Sequence, residues 1–451
     1  MKYIRQSLAI VVALGSIGSA MATVTAEEVK QLGTTLTGLG AEKAANKDGS
    51  IPEFTNTPIT PPADYKPGNG HYPDPYKNEK PLLRIDAKNM DQYADKLTEG
   101  TKTLLKRWPS YRVDVYPTHR TPTYSKWVGE NTIKNATRVK LVADGLGVEG
   151  AYGGIPFPIP KSGLEVLWNS VLAPKPVSTD TIYAAYEVDA NGRRRLNAIA
   201  SMYHEYPYYD PDRTSMDGQS YYKFLANVMA PAARVGGKNL GWYSIDYTKQ
   251  DLLLWTYIPG QRRSRLAPET KYDGIAGSQG YRFDELNLYS GPMDRYNFKL
   301  VGKKEIYVPY NAYRAVFGAT DKVVTPVHIN PDALRWELHR VWVVDGTLKS
   351  GKSHALTRRT FYADEDTWAL LLSDSYDSTG KLSRMGQDLS FTMYEGGNST
   401  LLNYTTVFYN VAKDGYLVND LFGEQKLSVM TVPKRPTIKT TPERMAAEGV
   451  R

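Results

Sequence analysis

The chain has no cysteine among its 451 residues. That absence excludes disulfide bonds, thiolate metal sites, a cysteine nucleophile and a lipid-modified N-terminal cysteine. The excess of basic over acidic residues is also small: 56 basic and 48 acidic residues give a formal net charge of +8. For a chain of this length that excess does not indicate a nucleic-acid-binding surface, so no nucleic-acid partner is predicted.

Long hydrophobic runs are scarce as well. The apolar run at residues 8–14 is far shorter than the ~20 residues of a membrane span. Lys2 and Arg5 precede it, and Ala20 and Ala22 supply the small side chains that a signal peptidase reads. The pattern predicts a signal peptide over residues 1–22, cleaved after Ala22. The mature protein is expected in the periplasm without a lipid anchor.

Motifs for catalysis and metal binding are missing. Neither G-x-S-x-G nor H-E-x-x-H occurs, and none of the six histidines stands two or four residues from another. Residues 145–150 match the dinucleotide fingerprint, but the glycines and prolines at 153–160 prevent a helix from beginning there. We therefore predict no catalytic residue, no metal and no cofactor, and a protein that is not an enzyme.

The abundant residues favour β structure. The chain has 33 tyrosines, 37 glycines and 28 prolines, and aromatic residues are typical of strands. A capping box at 25–28 predicts the start of a short helix, and further helices are predicted at 89–107, 162–172 and 217–229, with a short one after Thr441. Eight prolines at 52–81 predict an extended arm. Residues 189–192 predict a hairpin turn. Strands are predicted at 181–188, 193–203, 242–247, 251–258, 298–308, 335–344, 354–362, 367–373, 388–394, 403–412 and 416–419.

Several predicted strands are apolar on both faces. In 251–258, Leu253, Trp255 and Tyr257 share one face, and Leu252 and Leu254 share the other. A sheet with one wet face would alternate apolar and polar residues, so both faces are expected to be covered. One face could line a ligand cavity, although an ordinary two-layer core explains the same periodicity. We favour Trp255 as the residue that faces the cavity.

Polar clusters have alternative interpretations. Glu337 and His339 share a strand face, where they could perform acid–base chemistry but more often form a buried polar pair. Arg262 and Arg263 follow a strand end, where they could hold an anionic head group or belong to a solvated loop. The acidic clusters at 210–217 and 364–366 lack the spacing of a calcium loop and are interpreted as turns and caps.

Four segments carry a resemblance to a known family. Residues 153–160 (GGIPFPIP), 257–268 (YIPGQRRSRLAP), 336–344 (WELHRVWVV) and 362–368 (YADEDTW) resemble the domain-of-unknown-function 1329 family of exported bacterial proteins. That family is similar in turn to Lol-type (LolA/LolB-like) lipoprotein carriers. The resemblance implies a strongly curved antiparallel half-barrel with helices on its concave face, an apolar cavity, and association with resistance-nodulation-division (RND) transporters and outer-membrane proteins.

Together these observations predict a mainly β (α+β) protein with an N-terminal extended arm. The expected segments are a signal peptide (1–22), an N-terminal helix, arm and helix packed on the core (23–110), a curved carrier-like sheet domain (111–432) and a polar tail (433–451). The predicted function is a periplasmic carrier for a hydrophobic or lipid-like molecule. The candidate cavity and mouth residues are Leu253, Trp255, Tyr257, Arg262, Arg263, Trp336 and Trp342.

Other functions stay open at this point. The leading alternative is a non-catalytic accessory subunit of an RND or outer-membrane export assembly that binds no small ligand. A periplasmic hydrolase has no nucleophile–base pattern in its favour. A sugar-binding module is compatible with the many tyrosines and tryptophans.

Overall fold

The structure is a computed structural model that describes residues 24–216, 219–268, 271–276, 281–395, 399–424, 428–436 and 440–449. The predicted signal peptide and its cleavage site lie outside these residues. Within the described ranges, no helix has the length and apolar character needed to cross a membrane.

Seven α-helices are short and widely spaced among the described residues. They are α1 Ala26–Val29, α2 Glu99–Arg107, α3 Lys126–Arg138, α4 Gly163–Val171, α5 Tyr313–Val316, α6 Thr320–Val323 and α7 Pro442–Gly449. Thr25 caps α1 in a complete capping box, and Ser162 caps α4 by accepting a hydrogen bond from the backbone of Glu165. These two helices and the helix after Thr441 confirm the predictions from sequence.

Strands are the main regular structure of the described chain. They are β1 Leu83–Ile85, β2 Val113–Val115, β3 Lys140–Val142, β4 Gly147–Glu149, β5 Ser178–Val188, β6 Arg194–Glu205, β7 Ser220–Ala230, β8 Lys238–Ser244, β9 Leu253–Ile258, β10 Arg263–Leu266, β11 Ile275–Ala276, β12 Tyr281–Arg282, β13 Tyr296–Pro309, β14 Trp336–Leu348, β15 Arg358–Asp364, β16 Leu370–Tyr376, β17 Leu382–Asp388, β18 Phe391–Met393, β19 Thr400–Leu402, β20 Thr406–Asn410, β21 Gly415–Leu421 and β22 Ser428–Thr431.

One open sheet of 16 strands dominates the molecule. Its order is β1-β2-β14-β15-β16-β17-β20-β21-β5-β6-β7-β8-β9-β10, with β13 also paired to β14 and β22 to β5. Every pairing in it is antiparallel except the single parallel contact between β2 and β14. An antiparallel, unclosed sheet with few helices confirms the predicted fold class of a half-barrel.

The hairpin between β5 and β6 forms where the sequence predicted it. Asp189 accepts hydrogen bonds from the backbone nitrogens of Asn191 and Arg193. Gly192 has φ of 73°, a conformation that costs glycine little because it lacks Cβ. This turn fixes the register of the two longest strands beside the cavity described below.

The helix predicted at 217–229 is wrong, because residues 220–230 form strand β7. This segment alternates side chains between the two faces: Tyr222, Phe224 and Ala226 on one, Tyr221 and Leu225 on the other. Pairing with β6 on one edge and β8 on the other satisfies its backbone, and tertiary context overrides the helical pattern.

Other boundaries also differ from the prediction. Residues 89–107 divide at Leu97 into a 3-10 segment, Met90–Lys96, and α2, because Tyr93 leaves the helical region and Thr98 caps a new helix. The glycine loop at 145–150 contains β4, which pairs with β3, so no helix begins there. Strand β17 was missed because its residues alternate weakly in hydrophobicity.

Both faces of the central strands are covered, as the pattern of 403–412 predicted. Along β20, Val407 and Tyr409 belong to one core and Phe408 to the other. The first, the arm-side core, contains Tyr72 of the proline-rich arm and Leu104 of α2. The second, the cavity-side core, contains residues of α4 and most of the aromatic side chains of β7 and β8.

Candidate functional site

A cavity lies between strands β5–β9 and the 3-10 segment Phe283–Leu288, which we call the cover segment. Its volume is about 320 Å3, within the range of small-molecule sites. Aromatic and small apolar side chains form most of its walls. The lining residues are Tyr183, Ala185, Asn197, Ala198, Ala200, Met202, His204, Tyr222, Phe224, Ala226, Val228, Arg234, Asn239, Leu240, Tyr243, Leu254, Trp255, Thr256, Phe283, Leu286, Asn287, Tyr404, Asn419 and Asp420.

Strand register determines which side chains reach this cavity. Phe224 pairs with Gly241, and Gly241 pairs with Leu254, so the three positions share one face of the sheet. A Cβ at position 241 would collide with the Phe224 ring. Because residue 241 is a glycine, the Phe224 ring can lie across β8 at this position. Leu254 lies beside Gly241 on the cavity wall.

A stack of rings forms the wall around His204. The ring of Tyr404 lies 4.6 Å from that of His204 at an angle of 7°. His204 Nδ1 is 3.0 Å from the hydroxyl of Tyr222, and Nε2 is 3.3 Å from the hydroxyl of Thr181. Burial lowers the pKa of His204 to about 3, so this wall is uncharged at neutral pH.

An acid also reaches the cavity, through a bulge in β21. The pairing of β21 with β5 shifts between Val418 and Leu421, and Asp420 has φ of 59°. A bulge of this kind redirects side chains, and here it directs Asn419 and Asp420 to the cavity. Burial raises the pKa of Asp420 to about 8.

The cover segment is anchored by buried ion pairs. Arg359 Nη1 donates to Asp284 Oδ2 at 2.8 Å, and Arg384 Nε donates to Glu285 Oε1 at 2.9 Å. Both arginines belong to strands of the sheet, β15 and β17. Burial alone would raise the pKa of Asp284, but Arg359 and His354 hold it below its ordinary value. Leu286 and Asn287 are thereby fixed over the cavity.

On β9, the predicted Trp255 and its neighbour Leu254 both line the cavity, whereas the predicted Leu253 and Tyr257 are not among the lining residues. Leu240 pairs with Trp255, and these two residues lie on the face opposite Leu254. Tyr257 is 1% exposed and packs with Leu240 and Met445 of α7. Both faces of β9 therefore contribute to the lining, Leu254 from one face and Trp255 from the other. Trp255 reaches the cavity margin while its ring lies edge-on to Trp242 at 4.9 Å.

The predicted arginines lie outside the cavity lining. Arg262 ends the turn Pro259–Gln261 in the left-handed conformation, and Arg263 begins β10. Both side chains are exposed. They are therefore available to a partner on the surface rather than to the inside of the cavity.

The two predicted tryptophans of β14 are separate from the cavity and from each other. Trp336 is fully buried in the arm-side core. Trp342 belongs to the cavity-side core, where its ring stacks on Trp368 at 6.1 Å and Lys303 Nζ lies 4.8 Å from its centroid. Neither ring is among the lining residues, so their structural role is packing.

Most of the lining residues that the sequence did not predict belong to strand β7. Tyr222, Phe224, Ala226 and Val228 line the cavity, and the sequence interpretation had placed them on a helix. Their alternation with Tyr221, Leu225 and Asn227 is the signal that could have identified them. Asp420 carries no comparable signal, since a bulge is not visible in strand periodicity.

A second polar cluster is buried in β14. His339 Nε2 is 3.3 Å from Glu337 Oε2, and Nδ1 is 3.6 Å from Asp364 Oδ1. The expected buried polar pair is therefore confirmed. Burial would lower the pKa of His339, but hydrogen bonds from its ring to Asp364 and Glu337 raise that pKa to about 9.

Ligand atoms of His339, Asp364 and Asp366 lie within 4.8 Å of one another, the separation that a metal site requires. Two acids of the cluster, Asp366 and Glu337, already pair with arginines, and Asp364 pairs with His339 itself. Arg120 Nη2 donates to Asp366 Oδ1 at 2.6 Å, and Arg335 Nε donates to Glu337 Oε1 at 2.6 Å. With a protonated His339 the cluster is an internal salt-bridge network rather than a metal site.

Comparisons with known proteins identify related chains. The family described as "Protein of unknown function (DUF1329)" matches residues 84–446. An uncharacterized protein of Pseudomonas aeruginosa (PA3922) is 37% identical over 439 residues, covering 96% of this chain and 95% of its own length.

Two solved structures show distant similarity. A DUF1329 family protein from Desulfovibrio piger is 16% identical with a TM-score of 0.39, covering 57% of this chain and 89% of its own. A LolA superfamily protein from Nitrosomonas europaea is 10% identical with a TM-score of 0.37, covering 62% of this chain and 98% of its own.

Proposed function

This chain belongs to the DUF1329 family, and we propose that it is a periplasmic carrier that binds a hydrophobic or amphipathic molecule between its sheet and the cover segment. The observation that supports this most strongly is the cavity of about 320 Å3. Close-packed interiors leave few spaces larger than a water molecule, so a space of this size is a candidate site for a ligand.

The composition of the wall supports an amphipathic ligand. Tyr183, Phe224, Tyr243 and Leu254 offer apolar surface, while Asn197, Asn239 and Asn419 offer amides. Aromatic side chains give a large contact area at a low entropic cost, and a few polar groups fix orientation. The proposal gives no catalytic role to any residue.

A cavity-filling substitution tests the proposal. Ala226 lines the cavity, so Ala226→Phe should occupy part of the space while leaving the sheet intact. Binding would be measured by the fluorescence of N-phenyl-1-naphthylamine, an apolar probe. We expect saturable binding to the wild type and at least a tenfold weaker affinity for Ala226→Phe.

The matched control is Ala232→Phe, which adds the same ring at an exposed position. This variant should bind the probe as the wild type does, and thermal unfolding should show both variants folded. A wild-type protein that binds no probe, or equal affinities for Ala226→Phe and Ala232→Phe, would overturn the cavity as a binding site.

An accessory subunit of an envelope assembly is the second candidate, favoured by a surface near β10. Val235 and Ile258 are 51% and 44% exposed, and Gly236 lies against Pro259, so the two turns adjoin. Arg262 and Arg263 extend from the same turn. Exposed apolar residues bordered by cations suit an acidic partner such as an RND-type transporter or an outer-membrane protein.

Reversing both charges, with Arg262→Glu and Arg263→Glu, tests this surface. We expect the melting temperature to change little, because exposed ion pairs contribute only ~0–1 kcal/mol. Crosslinking in cells should lose a partner that the wild type captures. Unchanged crosslinking would remove these arginines from any partner interface.

A further inference from the structure

The carboxyl group of Asp420 is an acid on the cavity wall, at the bulge of β21. No cation or hydrogen-bond donor contacts it among the described residues; only its backbone carbonyl is engaged, by the hydroxyl of Thr405 at 2.5 Å. Asp420 is half-buried, and a carboxylate that loses much of its hydration without gaining a partner is costly. The left-handed conformation of Asp420 at the bulge directs its side chain to the cavity.

Aromatic rings surround this acid. The charge of Asp420 contributes to raising the pKa values of Tyr222 and Tyr404, which places its carboxylate near both phenols. Tyr183 and Phe224 line the same space. An acid among aromatic faces is suited to a positively charged group, which gains Coulomb energy from the carboxylate and cation–π energy from the rings.

The cation at the cavity does not compete for this acid. Arg234 Nη1 donates to the backbone carbonyl of Asn197 at 2.8 Å and to its side-chain oxygen at 3.2 Å. Arg234 is also exposed, so its charge is hydrated. The acids of the cover segment, Asp284 and Glu285, are bound to arginines of the sheet.

We propose that Asp420 is a ligand-binding residue and that the cavity selects amphipathic molecules carrying a cationic nitrogen. This inference rests on the proposed carrier function and specifies its ligand class. The cationic nitrogen lies against the carboxylate of Asp420 and beside the rings of Tyr222 and Tyr404, which line the same cavity. The apolar part lies along Phe224 and Leu254, beneath the cover segment.

Binding is coupled to the release of one proton. The carboxyl group of Asp420 is mostly protonated at pH 7, because burial raises its pKa to about 8. A cation stabilises the carboxylate, so the proton leaves to solvent as the ligand enters. Affinity for a permanently charged cation therefore rises with pH up to the pKa of Asp420 and levels off above it.

Other groups facing the acid do not titrate in this interval. The pKa of His204 is lowered to about 3 and that of Tyr404 is raised to about 12, in both cases mainly by burial. Burial also raises the pKa of Tyr222 well above 10.

The experiment compares three probes with the same C12 chain: dodecyltrimethylammonium, dodecanol and dodecanoate, below their micellar concentrations, by calorimetry. We expect the full-length mature protein to bind the ammonium at least tenfold more tightly than either other probe at pH 8. Its affinity should rise by up to about tenfold between pH 6 and pH 7, since each unit below the pKa reduces the carboxylate fraction about tenfold.

Asp420→Asn should abolish both the preference and the pH dependence while preserving dodecanol binding, which also shows that the variant is folded. Asp95→Asn, which removes the same charge from an exposed position, should behave as the wild type. Equal binding of the three probes, or tighter binding of dodecanoate, would overturn the cationic ligand class alone. Binding of none of them would overturn this inference together with the carrier function.

Discussion

Leu254 and Trp255 are neighbours in the chain with different surroundings. Both line the cavity, but Trp255 also packs on Trp242 and near Met445, whereas part of the Leu254 surface has no packing partner. We expect Trp255→Ala to cost about 3 kcal/mol of unfolding free energy and Leu254→Ala about 2 kcal/mol or less. Leu254→Ala should instead weaken binding of an apolar probe several-fold.

Urea unfolding and probe titration of both variants measure the two effects. Similar losses of stability with unchanged probe affinity would mean that Leu254 belongs to a solid core.

The pair of His339 and Glu337 makes a prediction about pH. The pKa of His339 is raised to about 9 in the fold, above the unfolded value near 6.5. Its ion pairs therefore stabilise the protein fully below pH 6.5, and this contribution is lost as pH rises through 9. His339→Gln should reduce the unfolding free energy by ~3–5 kcal/mol at pH 6.

Urea unfolding at pH 6 and pH 9.5 measures the change, and the difference between variant and wild type should shrink at the higher pH. A difference that does not depend on pH would show that His339 is neutral in the fold.

The positions of some residues in the fold could be predicted from the sequence, and those of others could not. The Glu337–His339 pair was predictable because period two places both on one strand face. The lining position of Leu254 was not, because apolar residues occur on both faces of 251–258 and nothing local distinguishes cavity from core. Asp420 depends on a bulge opposite β5, which is a long-range feature.

Among the elements, α7 has the most testable role. The sequence predicted a short helix within a polar tail, but Met445 is fully buried against Leu240 and Tyr257. We expect Met445→Asp to detach α7 and to lower the unfolding free energy by at least about 2 kcal/mol, because it buries an unpaired charge.

The matched control is Met229→Asp, since Met229 is 50% exposed and should change stability by no more than ~0.5 kcal/mol. Hydrogen exchange in β8 and β9 should accelerate for Met445→Asp alone. Equal stability of the two variants would show that α7 is not docked in solution.

Element types were predictable where a local signal agreed with the tertiary structure. The capping residues Thr25 and Ser162 mark helices that form, and the 189–192 turn joins β5 to β6. Residues 220–230 show the limit: a pattern that suits a helix folds as β7 because both neighbouring strands pair with it. The order of strands in the sheet depends on such pairings and was not predictable from periodicity.

For the whole molecule, the N-terminal pattern predicts export and cleavage after Ala22. Protein expressed from the full sequence in a Gram-negative host should be released with the periplasmic fraction, and N-terminal sequencing should begin at Thr23. Retention of residues 1–22 in mature material would contradict both the cleavage site and the periplasmic location.

The central claim is that the space beneath the cover segment carries a small amphipathic molecule. Native mass spectrometry of the protein purified from its own periplasm, without detergent, tests it most directly. We predict a bound organic species that is released on unfolding, carries a basic nitrogen, and is reduced or absent in Ala226→Phe but present in Ala232→Phe. Wild-type protein that is ligand-free, or a bound species equally abundant in both variants, would contradict the account.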